Sequence, residues 1–222
     1  MTGFRLRAPR WFGGRRARRS LEEVFTRIWA ENRWRSPETR SGPGSSLERT
    51  RSVRAALPAL LRRLGVRSLL DVPCGDFHWL AEVELDLESY VGADIVPALI
   101  EENRRRHGRP GRTFLRLDLT RDDLPAADLV LCRDGLIHLS FADAARAVSR
   151  MRASGSTWLL TTTFRALARN RDKPSGRSRL LNLERPPFGW PPPVEVVPED
   201  AAGRRAIAHA KSLGLWRLAA LP

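Results

Sequence analysis

The rhythm of apolar and polar positions changes near residue 65. Before it, Leu21, Val24, Phe25 and Ile28 recur at helical spacing and give one apolar face to a helix predicted over 20–32. Ser20 precedes it with Glu23 three residues on, a capping-box spacing. The stretch from Trp34 to Ser46, rich in Pro, Gly and Ser, reads as loop. Ser45 with Glu48 predicts a second capped helix over about 46–64, kinked at Pro58 and ended by Gly65. Beyond residue 65, short apolar runs alternate with helical segments. Strands are expected over 66–72, 90–95, 113–117, 128–132 and 157–164. Helices are expected over 97–107, with Pro97 in the first turn, and over 141–152, capped by Ser140 with Asp143. Residues 165–199 read as a long Pro- and Gly-containing loop of the kind that often serves as a lid. A helix over 200–213 ended by Gly214, then a strand over 215–221, complete the pattern.

Alternating strands and helices imply a mostly parallel sheet covered on both faces, with right-handed crossovers winding it doubly. The expected class is α/β, Rossmann-like, with strand order 3-2-1-4-5 and a helical cover over 20–64 in front of a domain over 65–222. A sheet of the seven-strand type is expected, with the loss of one edge strand as the alternative because the chain stops at Pro222.

With 222 residues, 42% of them hydrophobic, the chain suits one domain with a substantial core. No apolar run reaches the roughly 18 residues of a membrane span, and no apolar segment follows the basic N-terminus as a secretory signal requires. Two cysteines and four histidines, scattered without ligand spacing, predict neither a disulfide framework nor a metal site. A reducing, cytoplasmic setting is expected, although an Arg-rich, acid-poor leader also matches a mitochondrial transit peptide. The net charge of +14 invites a nucleic-acid partner. Seven Arg and no acid in residues 1–20 supply half of it, however, which predicts a disordered basic tail over 1–19. The remaining Arg excess, 37 Arg against two Lys, reads as a solvated surface.

In an open parallel sheet, ligands bind beyond the carboxyl ends of the strands, and acids stand there in order. The first strand runs into Asp71-Val72-Pro73-Cys74-Gly75-Asp76-Phe77, a turn in which Gly75 lets backbone approach a ligand. The second ends at Asp94-Ile95, 23 residues beyond Asp71, a spacing suited to an acid that accepts from both hydroxyls of a ribose. The third runs into Asp118-Leu119, where an acid can meet a base edge. Neither G-x-G-x-x-G nor the phosphate-loop pattern occurs, which argues against a nicotinamide dehydrogenase and a nucleotide hydrolase.

On these residues the chain resembles the class I S-adenosylmethionine-dependent methyltransferases. Asp71 and Gly75 match the acid and middle glycine of D-x-G-x-G-x-G, while Pro73 and Phe77 stand where the other glycines are usual. The run Tyr90 to Ile100 looks like the family's second motif. More narrowly, the chain is similar to a bacterial subgroup with D-V-P-C-G-D-F-x-W, G-x-D-I-V, R-D-x-x-x-H-L and T-T-F, over about residues 36–220. The resemblance implies S-adenosylmethionine as cofactor, with Asp71 near the methionine amino group, Asp94 on the ribose and Asp118 near the adenine amino group. Pro73, Cys74, Ile95, Leu119 and Arg133 join them as expected cofactor contacts.

The fourth strand runs into Cys132-Arg133-Asp134-Gly135-Leu136-Ile137-His138, where methyl group and acceptor should meet. As one helical turn, this segment would place Asp134 and His138 on one face, so that Asp134 orients His138 as general base. The alternative is that Asp134 caps a turn and His138 is a packed histidine. Arg133 is either a carboxylate contact or a salt-bridge partner. The loop Ser41–Ser45 could fold over the cofactor's carboxylate or merely link two helices. Trp34, Trp79 and Trp190 are candidates for an acceptor pocket, or for the core. Arg185-Pro186-Pro187-Phe188 follows the wrong strand for the N-P-P-Y motif of amino-group methyltransferases and is read as lid. The expected acceptor is an oxygen or nitrogen nucleophile on a small molecule or glycan. The alternatives are a methyltransferase-like binding module without catalysis and an RNA-modifying enzyme guided by the tail.

Overall fold

In the computed structural model, residues 19–199 and 211–222 are described. Residues 1–18 of the predicted tail over 1–19, and residues 200–210 of the predicted helix over 200–213, lie outside them. Among the described residues one sheet has the order β3-β2-β1-β4-β5-β7-β6. Its strands are β1 (Ser68–Asp71), β2 (Ser89–Asp94), β3 (Arg112–Arg116), β4 (Leu129–Cys132), β5 (Trp158–Thr163), β6 (Glu195–Pro198) and β7 (Ser212–Arg217). β1 to β5 pair in parallel, with Leu70 opposite Val91 and Val130. β7 runs antiparallel between β5 and β6.

Along each central strand, successive side chains enter opposite faces. Leu70, Val130 and Leu159 join one buried cluster, while Leu69, Leu129, Leu131 and Leu160 join the other. With both faces covered, the strands read as continuous apolar runs rather than alternating ones. The helices are α1 (Leu21–Ala30), α2 (Arg51–Leu64), α3 (Pro97–His107) and α4 (Phe141–Ala153). Ser20 caps α1 as a full capping box: its hydroxyl accepts from the Glu23 amide and its amide donates to Glu23 Oε2 at 2.8 Å. Ser140 caps α4, and Gly65 ends α2 in the left-handed region. No helix among the described residues is long and apolar enough to cross a membrane.

Three expectations are corrected. The Ser45–Glu48 cap does not form: Pro43–Ser45 is a 3-10 turn, and α2 starts at Arg51 after Thr50, whose hydroxyl donates back to the Ser46 carbonyl at 2.8 Å. The sheet has all seven strands, because Glu195–Pro198, placed in the loop by its prolines, forms the edge strand β6. Gly214 ends no helix. It lies within β7 opposite Thr161, and a Cβ there would stand 2.2 Å from the Trp216 ring. Residues 165–193 contain no helix or strand, yet they send Leu181, Leu183, Phe188 and Trp190 into the core. Buried Asn170 and Asn182 tie this segment together, the Asn182 amide donating to Asn170 Oδ1 at 2.8 Å. Trp190 packs edge-on against Phe188 and Trp216, so it belongs to the core and not to the cleft.

Candidate functional site

A cleft open to solvent, with an internal volume of about 130 Å³, lies at the carboxyl ends of β1 to β4. The expected residues Asp71, Pro73, Cys74, Gly75, Asp94, Ile95, Asp118, Leu119, Arg133, Asp134 and His138 all line it. Strand ends set the position of each: Asp71 closes β1, Asp94 closes β2, Asp118 follows β3 by two residues and Arg133 follows β4 directly. Trp34, Trp79, Ser41 and Ser45 also border the cleft, as do Leu21, Phe25 and Trp29 of α1.

The turn after β1 keeps its sharp shape without its usual glycines. Gly75 has φ +54° and Phe77 +55°, a left-handed conformation that costs a non-glycine residue roughly 1–2 kcal/mol. Packing holds Phe77 there: its ring is buried against Tyr90, His107 and Phe114 at centroid distances of 5.2, 5.1 and 5.4 Å.

Asp71 and Asp94 are buried carboxylates. Burial pushes Asp71 up to about 7, against the Tyr90 hydroxyl that donates to it at 2.8 Å. Burial pushes Asp94 up to about 6, against the backbone N–H groups of Val96 and Gly75 at 3.1 and 3.2 Å. Half-buried Asp118 accepts through Oδ1 from the Thr120 amide and hydroxyl at 2.9 and 2.7 Å.

Asp134 and His138 meet in the cleft, but not as a helical pair. Asp134 sits at φ +57°, so the chain turns there and the 3-10 helix begins only at Leu136. The Asp134 carboxylate accepts from Lys211 Nζ at 2.6 Å and from the Thr162 hydroxyl at 3.0 Å. His138 Nδ1 instead faces Ser178 Oγ at 3.2 Å, and its ring lies 5.0 Å from that of Trp34. The hydrogen-bond partner of His138 Nδ1 is thus Ser178 and not Asp134. Burial disfavours charge on Asp134, but Lys211 and Arg133 outweigh it and hold the carboxyl well below the usual range. Burial lowers His138 below the ordinary histidine value, with Asp134 opposing.

Arg133 is buried in a bidentate pair with Glu199, Nε to Oε1 at 3.0 Å and Nη2 to Oε2 at 2.8 Å, and Nη2 also donates to the Gly44 carbonyl at 2.7 Å. Lys211 closes the network on Glu199 at 2.9 Å. Glu199 and Lys211 were not readable as site residues, because nothing local marks their partners 66 and 77 positions away. Tyr90 carried a signal, as the single tyrosine of the chain, in the run that resembles the second motif.

No family model and no curated protein sequence matches the chain. Its fold does match solved structures. The methyltransferase domain of a bacterial CtHen1 aligns with a TM-score of 0.58 at 12% identity, over 76% of this chain and 99% of that one. Magnesium protoporphyrin IX methyltransferase of Synechocystis PCC 6803, with bound S-adenosylmethionine, gives 0.57 at 12% identity over 90% and 98%. The N-methyltransferase NodS of Bradyrhizobium japonicum WM9, with S-adenosylhomocysteine, gives 0.57 at 16% identity over 89% and 97%. The architecture of this chain is the Rossmann-like fold of class I methyltransferases.

Proposed function

We propose that this chain is an S-adenosylmethionine-dependent methyltransferase acting on an oxygen or nitrogen nucleophile of a small-molecule or glycan acceptor. One observation carries the reading: Asp71, Asp94 and Asp118, from the ends of three successive strands, face a single cleft. The donor set fits the cofactor. Asp94, half-satisfied by backbone N–H groups, retains lone pairs for the two ribose hydroxyls. Ile95, Val96, Leu99 and Leu119 offer an apolar bed for a flat base, with Asp118 at its edge. Asp71, pushed up to about 7 by burial, offers a carboxyl that the ammonium of the methionine end would hold ionised, and Ser45 offers a hydroxyl to the methionine carboxylate.

When bound, S-adenosylmethionine supplies a methyl group already activated by the sulfonium. The protein's task is then to position the acceptor in line, worth on the order of 7–11 kcal/mol in good cases, and to receive a proton. His138 suits the second role. Its lowered pKa keeps it neutral at pH 7, and Ser178 engages Nδ1, which leaves Nε2 for the acceptor. Asp134, held ionised by Lys211, favours the imidazolium that results. Phe77 in the left-handed region keeps the cofactor turn shaped without its third glycine, which weighs against a binding module that has lost its site.

Calorimetric titration with S-adenosylhomocysteine tests the reading. Micromolar binding that Asp94→Ala abolishes supports it, and undetectable binding at millimolar ligand defeats it. With an acceptor in hand, His138→Gln is expected to lower kcat about 100-fold or more while leaving S-adenosylhomocysteine affinity within about threefold.

A further inference from the structure

Asp76 follows Gly75 in the turn after β1, and no step above uses its side chain. Its Oδ2 accepts from the Thr39 hydroxyl at 2.6 Å and the Arg40 amide at 3.0 Å, and its Oδ1 accepts from the Ser41 hydroxyl at 2.7 Å. The Asp76 amide in turn donates to Ser41 Oγ at 2.9 Å. Three consecutive residues of the interhelical loop are thus fastened to one carboxylate on the cofactor turn. Hydrogen bonds to a charged acceptor are roughly twice as strong as neutral ones.

Gly75 has a part in this. A Cβ on it would stand 2.2 Å from Ser41 Oγ, so the bare backbone admits the loop. The fastened segment then roofs the cleft. Ser41 and Ser45 line it, and the Gly44 carbonyl caps Arg133. Arg40 Nη1 donates to the Trp29 and Ala30 carbonyls at 3.2 and 3.3 Å, which ties the same segment to the end of α1. Thr39 itself lines no part of the cleft.

We propose that Asp76 is a positioning residue that straps residues 39–45 over the bound cofactor, so that cofactor release waits on breaking this cluster. The inference rests on the cofactor reading above. It is tested by stopped-flow release of S-adenosylhomocysteine from the full chain, read by tryptophan fluorescence, together with hydrogen exchange at residues 39–46. Thr39→Val removes the bond to Asp76 and the one that its hydroxyl accepts from the Ser41 amide at 3.1 Å, and replaces no cleft-lining side chain. Asp76→Asn keeps the shape and removes the charge. Both are expected to release ligand about tenfold faster or more, with association changed less, and to lose exchange protection over 39–46. Release rates unchanged from wild type in both variants, even with lowered thermal stability, are what a merely structural cluster gives and overturn the strap. A wild-type protein that binds no S-adenosylhomocysteine overturns the cofactor reading instead, and the strap with it.

Discussion

Replacing Asp94 by Asn is expected to stabilise the ligand-free protein at neutral pH and to weaken cofactor binding. Burial raises this carboxyl from its ordinary 3.8 to about 6. Between those values the folded chain keeps a proton that the unfolded chain has released. Stability from this group is therefore fully present below pH 3.8, falls as pH rises through the window, and is flat above about 6. At about 1.36 kcal/mol per tenfold, the loss amounts to roughly 3 kcal/mol. Asn removes the penalty but can set its amide donor against the Gly75 or Val96 N–H, returning roughly 1 kcal/mol. The net gain at pH 7.5 is about 2 kcal/mol, turning to a loss of about 1 kcal/mol near pH 3.5. Asp71, pushed up to about 7 in part by the Asp94 charge, titrates lower in the variant, which adds to the gain at pH 7.5 and does not oppose it. Urea denaturation of both proteins across pH 3.5–7.5 measures it. On the proposed cofactor reading, the uncharged side chain would also lose two strong acceptor bonds to ribose, each about 1.5–3 kcal/mol, so S-adenosylhomocysteine affinity should fall 100-fold or more. A stability difference that does not vary with pH across this window, or a less stable variant at pH 7.5, refutes the reasoning.

Arg133→Met leaves buried Glu199 with Lys211 alone and should cost about 3–5 kcal/mol in urea denaturation; a loss under 1 kcal/mol would show that the pair is not desolvated. At an ordinary core position Gly is worse than Ala, but at Phe77 the left-handed backbone should make Phe77→Gly more stable than Phe77→Ala by about 1 kcal/mol, with both well below wild type. Equilibrium unfolding that ranks them the other way removes the strain argument. Ser20→Ala deletes the α1 capping box and should lower stability by about 1 kcal/mol, read as a fall in Tm.

Most of the sheet could be read from the chain because its central strands are buried on both sides and bounded by turn residues. Within a residue or two, the apolar runs ending at Asp71, Asp94 and Cys132 became β1, β2 and β4, and the acids at their ends converged as the order of strand ends required. What escaped was non-local. Val196 and Val197 form an edge strand only because β7 pairs with them, and the prolines around them masked a four-residue run. Ser45 and Glu48 had cap spacing, but Pro43 and the Thr50 hydroxyl favoured separate turns. Asp134 and His138 shared a cleft as expected, yet their partners, Lys211 and Ser178, come from distant segments that no local spacing reveals.

The aromatic sandwich around Phe77 has a consequence for recognising chains of this type. A left-handed kink is a demand on backbone shape, and a phenyl ring wedged among Tyr90, His107 and Phe114 can enforce it as glycine permits it. Signatures that insist on three glycines will pass over such proteins. Those that ask for one glycine, flanking acids and a hydrophobic anchor two positions later will find them.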